Sequence, residues 1–219
     1  MKPLKLFSLA IGIILTVIAL SSATAAAENP EILPNPTSEK PVTFTSTSEA
    51  TKLVSVMKKT IACTKGKSEG AFTSAREGTL TIDLEGCALE AAKCNTTGDA
   101  AGVILIKSKV TLVDLEKGEL VLGEANTPEG VPAKCGVLKA EFRGTVIGEF
   151  AGIGTPTPSV VFKQKEGKQT ITKCNQTKAF CEGKEYSLEA NFGLGFEKAA
   201  LEATFAITNI SPETVFVDF

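Results

Sequence analysis

The chain has 219 residues, with 23 lysines and arginines against 25 aspartates and glutamates, no histidine, no tryptophan and a single tyrosine. This mildly acidic balance argues against nucleic acid, which demands clustered cations to replace phosphate counterions, and equally against an anionic membrane surface. The missing histidine removes Ser-His-Asp and Cys-His catalysis and the commonest metal ligand. No phosphate-binding glycine loop, H-E-x-x-H or D-x-D-x-D pattern occurs, so no cofactor or metal is expected.

Residues 1–27 have the three parts of a secretory signal. Lys2 and Lys5 precede the uncharged run from Leu6 to Leu20, and small residues follow, ending at Ala25 and Ala27, either of which fits a cleavage site. The run is shorter than the roughly 20 apolar residues of a membrane span. The mature chain is therefore expected to be extracellular, free or loosely wall-associated, with no membrane partner after cleavage. Residues 28–41 hold Pro30, Pro34, Pro36 and Pro41 and read as a stiff, extended leader. Residues 42–219 read as a single domain, long enough to bury a core.

From Val42 onward, apolar and polar residues alternate, which places one face of a strand on a core and the other in water. Leu80, Ile82 and Leu84 form one series; Leu138, Ala140 and Phe142 another; Tyr186 through Phe196 a third; Leu201, Ala203, Phe205 and Ile207 a fourth; and Val215, Val217 and Phe219 close the chain. Turn signals stand between them at Lys65-Gly66, Glu77-Gly78, Lys117-Gly118, Glu129-Gly130 and Glu166-Gly167. Residues 88–93 and 196–206 contain helix formers, but the first is one turn long and enclosed between two cysteines, so it reads as a loop between strands, and the second continues the alternation and reads as strand. The fold class is all-β: an antiparallel β-sandwich of about eleven strands, with a meandering β-barrel as the alternative.

Six cysteines, at 63, 87, 94, 135, 174 and 181, indicate disulfides in an exported chain. The repeated C-x6-C unit favours Cys87–Cys94 and Cys174–Cys181 as local staples, leaving Cys63–Cys135. The rival pattern is Cys63–Cys87 with Cys94–Cys135. Zinc is disfavoured, because its ligands come as closer cysteine pairs, often with histidine.

The segment Ile61-Ala62-Cys63-Thr64, then Gly78-Thr79-Leu80-Thr81-Ile82, Glu85-Gly86-Cys87, Cys94 and Gly102, resembles a family of uncharacterised secreted bacterial proteins with a signal peptide and paired cysteines. So does Cys135 followed by Phe142-Arg143-Gly144-Thr145-Val146-Ile147-Gly148. The resemblance covers most of residues 45–219. It implies a bacterial source and supplies no activity, ligand or catalytic residue. A bacterial source makes the sequons at Asn95, Asn175 and Asn209 chance matches.

The remaining catalytic device is a carboxylate pair of the glycosidase kind, for which Glu141, Glu189 and Glu202 are the candidates, each on the polar side of a strand. An ordinary solvated sheet face explains the same pattern. Glu149, ahead of the Gly-, Thr- and Pro-rich segment running to Ser159, is a further loop candidate. The expected role is a non-enzymatic extracellular binding or structural module, with cell-wall glycan or an extracellular protein as candidate partners. Three alternatives stand beside it. One is a carboxylate-dependent glycan hydrolase. Another is an inhibitor or adhesion factor using residues 88–93 or 175–180. The third, should the domain be a barrel with open space inside, is a small-hydrophobe binder.

Overall fold

A computed structural model of the protein describes residues 31–114, 120–152, 158–174, 185–210 and 214–217; the export signal expected over residues 1–27 lies outside them, as does Cys181. Every regular element described is a strand. They build an eight-staved antiparallel barrel in which most staves are two short strands laid end to end.

The first stave is β2 (Val42–Ser48) continued by β3 (Thr51–Ser55), and the second is β4 (Thr60–Cys63) continued by β5 (Lys65–Phe72). The third is β6 (Glu77–Glu85) with β7 (Ala88–Leu89), and the fourth is β8 (Ala92–Thr96) with β9 (Val103–Asp114). The fifth is the single long strand β10 (Leu120–Cys135). The sixth is β11 (Leu138–Gly144) with β12 (Ile147–Ala151). The seventh combines β13 (Ser159–Phe162) with a strand named below, and the hairpin β14 (Gln164–Lys165) and β15 (Lys168–Gln169) follows β13 in the chain. That second part of the seventh stave is β16 (Leu188–Asn191), and the eighth stave is the long β17 (Phe196–Ile210). Each stave pairs with the next, and β17 returns to the first, with Ala206 opposite Thr47 and Glu202 opposite Lys52.

This is the barrel alternative. A meander whose last strand pairs with its first leaves no second sheet to pack face to face, so the sandwich expectation does not hold. The staves break at residues 49–50, 64, 86–87, 97–102 and 145–146, which is why more, shorter strands occur than the alternation predicts.

Alternation sends Phe44, Leu80, Ile82, Leu84, Phe142, Phe162, Phe205 and Ile207 inward, where they join one continuous core. Large side chains fit because small ones face them. Gly66 and Gly70, both inside strand β5 rather than at a turn, face the interior. A Cβ on Gly70 would stand 2.2 Å from the Phe44 ring, and one on Gly66 would stand 2.6 Å from the Ser48 hydroxyl. Glu77-Gly78 likewise opens β6, and Glu129-Gly130 lies within β10 at a shift of register. Glu166-Gly167 is a true turn, between β14 and β15, and Lys117-Gly118 lies outside the described residues.

The leader is not free. Within it, β1 (Glu31–Leu33) pairs with the closing strand β18 (Val215–Val217). Ile32 is fully buried, and its N–H donates to the carbonyl of Ala75 at 2.8 Å. The series from Tyr186 to Phe196 also divides. Only Leu188–Asn191 is strand, residues 192–195 turn, and Phe196 starts β17.

The disulfides follow the rival pattern, Cys63–Cys87 and Cys94–Cys135. The four sulfurs sit in one row across the second to fifth staves. Ala62 pairs with Ala88, the Cys94 N–H donates to the Cys87 carbonyl at 2.9 Å, and Cys94 stands opposite Cys135. Closing Cys87–Cys94 would leave Cys63 and Cys135 three strand spacings apart, about 14 Å. That is twice the roughly 7 Å a disulfide spans between Cα atoms. Cys174 is fully buried, disulfide-bonded, and 3.5 Å from the Tyr186 hydroxyl.

Candidate functional site

The barrel interior is not filled. Two apolar chambers lie end to end inside it, abutting at Ile82 and Phe162, which line both. The smaller, about 30 Å³ as the space open to a water centre, is walled by Phe44, Phe72, Leu80, Phe150, Val160 and Phe205. The larger, about 70 Å³ on the same measure, is walled by Leu53, Ile61, Ile104, Ile106, Val131, Phe142, Leu188 and Leu201. Native interiors hold few voids larger than one water, and one water requires about 10–15 Å³ of such space. The larger chamber therefore holds roughly five to seven waters' worth of volume, the size of an aromatic ring or a short alkyl chain.

Several interior hydroxyls are paired with one another or with a backbone carbonyl. Ser46 and Ser68 share a hydrogen bond of 2.6 Å, Ser48 and Thr51 one of 3.2 Å, and Ser108 donates to the Leu80 carbonyl at 3.4 Å. A buried polar group left unpaired would demand a polar guest. Paired as they are, these hydroxyls leave the chamber walls apolar in effect.

Outside the chambers, a wider groove of about 1120 Å³ crosses the barrel where the first, second and seventh staves break. Glu49, Lys52, Lys65, Lys67, Lys163 and Glu202 border it, and so does Phe162. Phe162 is thus the one side chain shared by the groove and both chambers. It is buried and meets Phe205 edge to face, with ring centroids 6.3 Å apart.

Of the candidate glutamates, only Glu202 reaches this groove. Its carboxylate accepts hydrogen bonds from Gln164 Nε2 at 2.7 Å and Lys52 Nζ at 3.1 Å. The Gln164 bond first, and the Lys52 bond second, hold its pKa below the usual carboxylate value. An acid so held ionised is a poor proton donor. Glu189 is tied to Arg143 at 2.9 Å, and that guanidinium also lies 3.6 Å over the Phe196 ring. Glu141 is diagonal to Glu189 on the outer face, opposite Asn191. Neither borders the groove or the chambers. The three candidates therefore do not converge on one cleft. Glu149 pairs with Lys163 at 2.6 Å.

Residues 88–93 form a tight hairpin between β7 and β8. Residues 175–180 lie outside the described residues, as do residues 153–157 of the segment from Glu149 to Ser159. Alternation named most of the inward residues, Leu194 being an exposed exception, but it carries no information on whether their volumes fill the barrel, so the chambers are invisible in the sequence. Compared with protein-family models, with curated proteins and with solved structures, the chain matches none of them.

Proposed function

We propose that the protein is an exported, non-enzymatic barrel that houses a small apolar molecule. The observation that carries this reading is the pair of contiguous chambers, walled by aliphatic and phenylalanine side chains, with Phe162 standing between them and the outer groove. Ligand sites of this kind are concave and mostly apolar, and barrel interiors of eight strands are just wide enough to hold one small ligand. The signal pattern of residues 1–27 and the disulfides support action outside the cell.

The test is a dye-displacement titration with aromatic and alkyl compounds of increasing size. The expected result is saturable binding of one molecule per chain, with a size limit near a single ring or a short chain. Leu201→Trp, which fills the larger chamber, is expected to weaken binding about tenfold or more while the fold is retained. Phe162→Ala is expected to speed exchange of the bound probe. Binding unchanged by Leu201→Trp, or no saturable binding of any probe, would count against the reading.

A further inference from the structure

The four hairpin tips at one end of the barrel, residues 56–59, 90–91, 136–137 and 192–195, are not ordinary polar turns. Among the described residues, the most exposed large hydrophobic side chains are Val137 at 99 %, Leu194 at 86 % and Met57 at 63 %. Each of the three sits on one of these tips. The tips are tied into one rim. The Met57 N–H donates to the Glu197 carboxylate at 3.0 Å, and the Gly136 N–H donates to the Lys93 carbonyl at 3.2 Å. A Cβ on Gly193 would lie 3.9 Å from Leu138. Isolated surface hydrophobes require no explanation, but several gathered on one end mark a contact surface.

The charge around the rim supplies the partner. Lys58, Lys59, Lys93, Lys134, Lys139 and Lys198 all lie on a tip or within three residues of one, all are exposed, and none makes an ion pair with a described residue. Over the same stretch the carboxylates are Glu90, Glu189 and Glu197. Glu189 is neutralised by Arg143, and Glu197 is engaged with the Met57 backbone. An end that is positive on an acidic chain is an asymmetry that the whole-chain balance conceals. Apolar side chains at the tips with lysines behind them match the layered chemistry of a bilayer face, where acyl chains lie beneath anionic headgroups.

We infer that this end of the barrel docks on an anionic phospholipid surface, with Met57, Val137 and Leu194 entering the headgroup boundary and the lysines contacting phosphates. The inference stands on the rim alone and holds whether or not the chambers take a guest.

Sedimentation of the secreted protein with vesicles of phosphatidylglycerol, and separately of phosphatidylcholine, tests it. Co-sedimentation with the anionic vesicles is expected, weakening as salt shortens the Debye length from about 10 Å at 0.1 M to 3 Å at 1 M. The triple variant Met57→Ser/Val137→Ser/Leu194→Ser is expected to lose about tenfold or more of this binding. Its unfolding transition should be unchanged, because these side chains are exposed. A fourfold variant, Lys58→Gln/Lys59→Gln/Lys134→Gln/Lys139→Gln, is expected to lose both affinity and salt dependence. Absence of binding to phosphatidylglycerol, equal binding to phosphatidylcholine, or a triple variant that binds as well as the parent would each overturn the inference. So would a dimer in solution that the triple variant disperses, since the tips would then belong to a second copy of the chain.

Discussion

At the scale of single residues, two features decide how the interior closes. The cysteine row joins neighbouring staves in pairs, spanning 24 and 41 residues of chain. On a chain-entropy account, loops of these lengths contribute about 3.5 and 4 kcal/mol. Cys94→Ala/Cys135→Ala is therefore expected to lower stability by about 4 kcal/mol in urea unfolding and to leave no free thiol. Cys87→Ala/Cys94→Ala, in contrast, is expected to leave two reactive thiols, at Cys63 and Cys135, which stand too far apart to join. A thiol titration showing none in that variant would contradict the row. The other feature is Gly70. A methyl group there would press on the Phe44 ring, which in turn packs on Phe72 with centroids 5.4 Å apart. Gly70→Ala is expected to cost about 1–3 kcal/mol by overpacking. Combined with Phe44→Leu, it is expected to cost less than the two single changes together, because both act on one space. Strict additivity would show that the two sites do not share it.

At the scale of elements, the β14–β15 hairpin lies against β17, and Gln164 and Lys52 converge on Glu202 from opposite sides. The depressed pKa of Glu202 has a fixed thermodynamic sign. Its native form binds a proton less readily than the unfolded chain, so the ionised carboxylate stabilises the fold above the ordinary value of 4.5, and that contribution fades as pH falls through the lowered native value. With the side chain 41 % exposed, solvent screening keeps the effect small. Thermal midpoints of the parent and of Glu202→Gln are expected to differ at neutral pH and to converge below pH 4.5. Gln164→Ala is expected to raise the Glu202 pKa, read by carboxyl NMR titration. A gap independent of pH would remove the ion pair and the amide bond as its cause. The sequence marks Glu202 only as an outward residue of an alternating strand. Its partners come from the first stave and from a two-residue strand between the two halves of the seventh stave, and no local pattern links positions so far apart. The tips were hidden for a related reason. Leu194 falls in phase with the series from Tyr186 to Phe196, and alternation cannot distinguish a core position from a turn that interrupts two strands.

At the scale of the whole molecule, strand content was legible because period two is a local property, whereas closure is not. The long β17 carries the decision. Its first half pairs with β16 on one side and β3 on the other, and its second half with β13 and β2. The sandwich and the barrel share the same alternation and differ only in whether β17 finds the first stave, a contact between distant parts of the chain. That same contact makes both halves of the barrel depend on one strand. Backbone amides in the interior of a closed barrel lack a free edge from which to open, so opening either half requires β17 to leave partners on both sides. Native-state hydrogen exchange is therefore expected to show the amides of Ala199–Ile207 exchanging only through global unfolding, with the same free energy as those of β6 and β9. The short strands β3, β4 and β7, which pair only with one another and with β17 and β8 at the tip end, are expected to share that free energy while the disulfides are intact and to exchange faster once these are reduced. If β17 exchanged well before β6, the barrel would be an open sheet in solution. The two chambers would then lose the wall that separates them from water, and the apolar-ligand reading would fail with them.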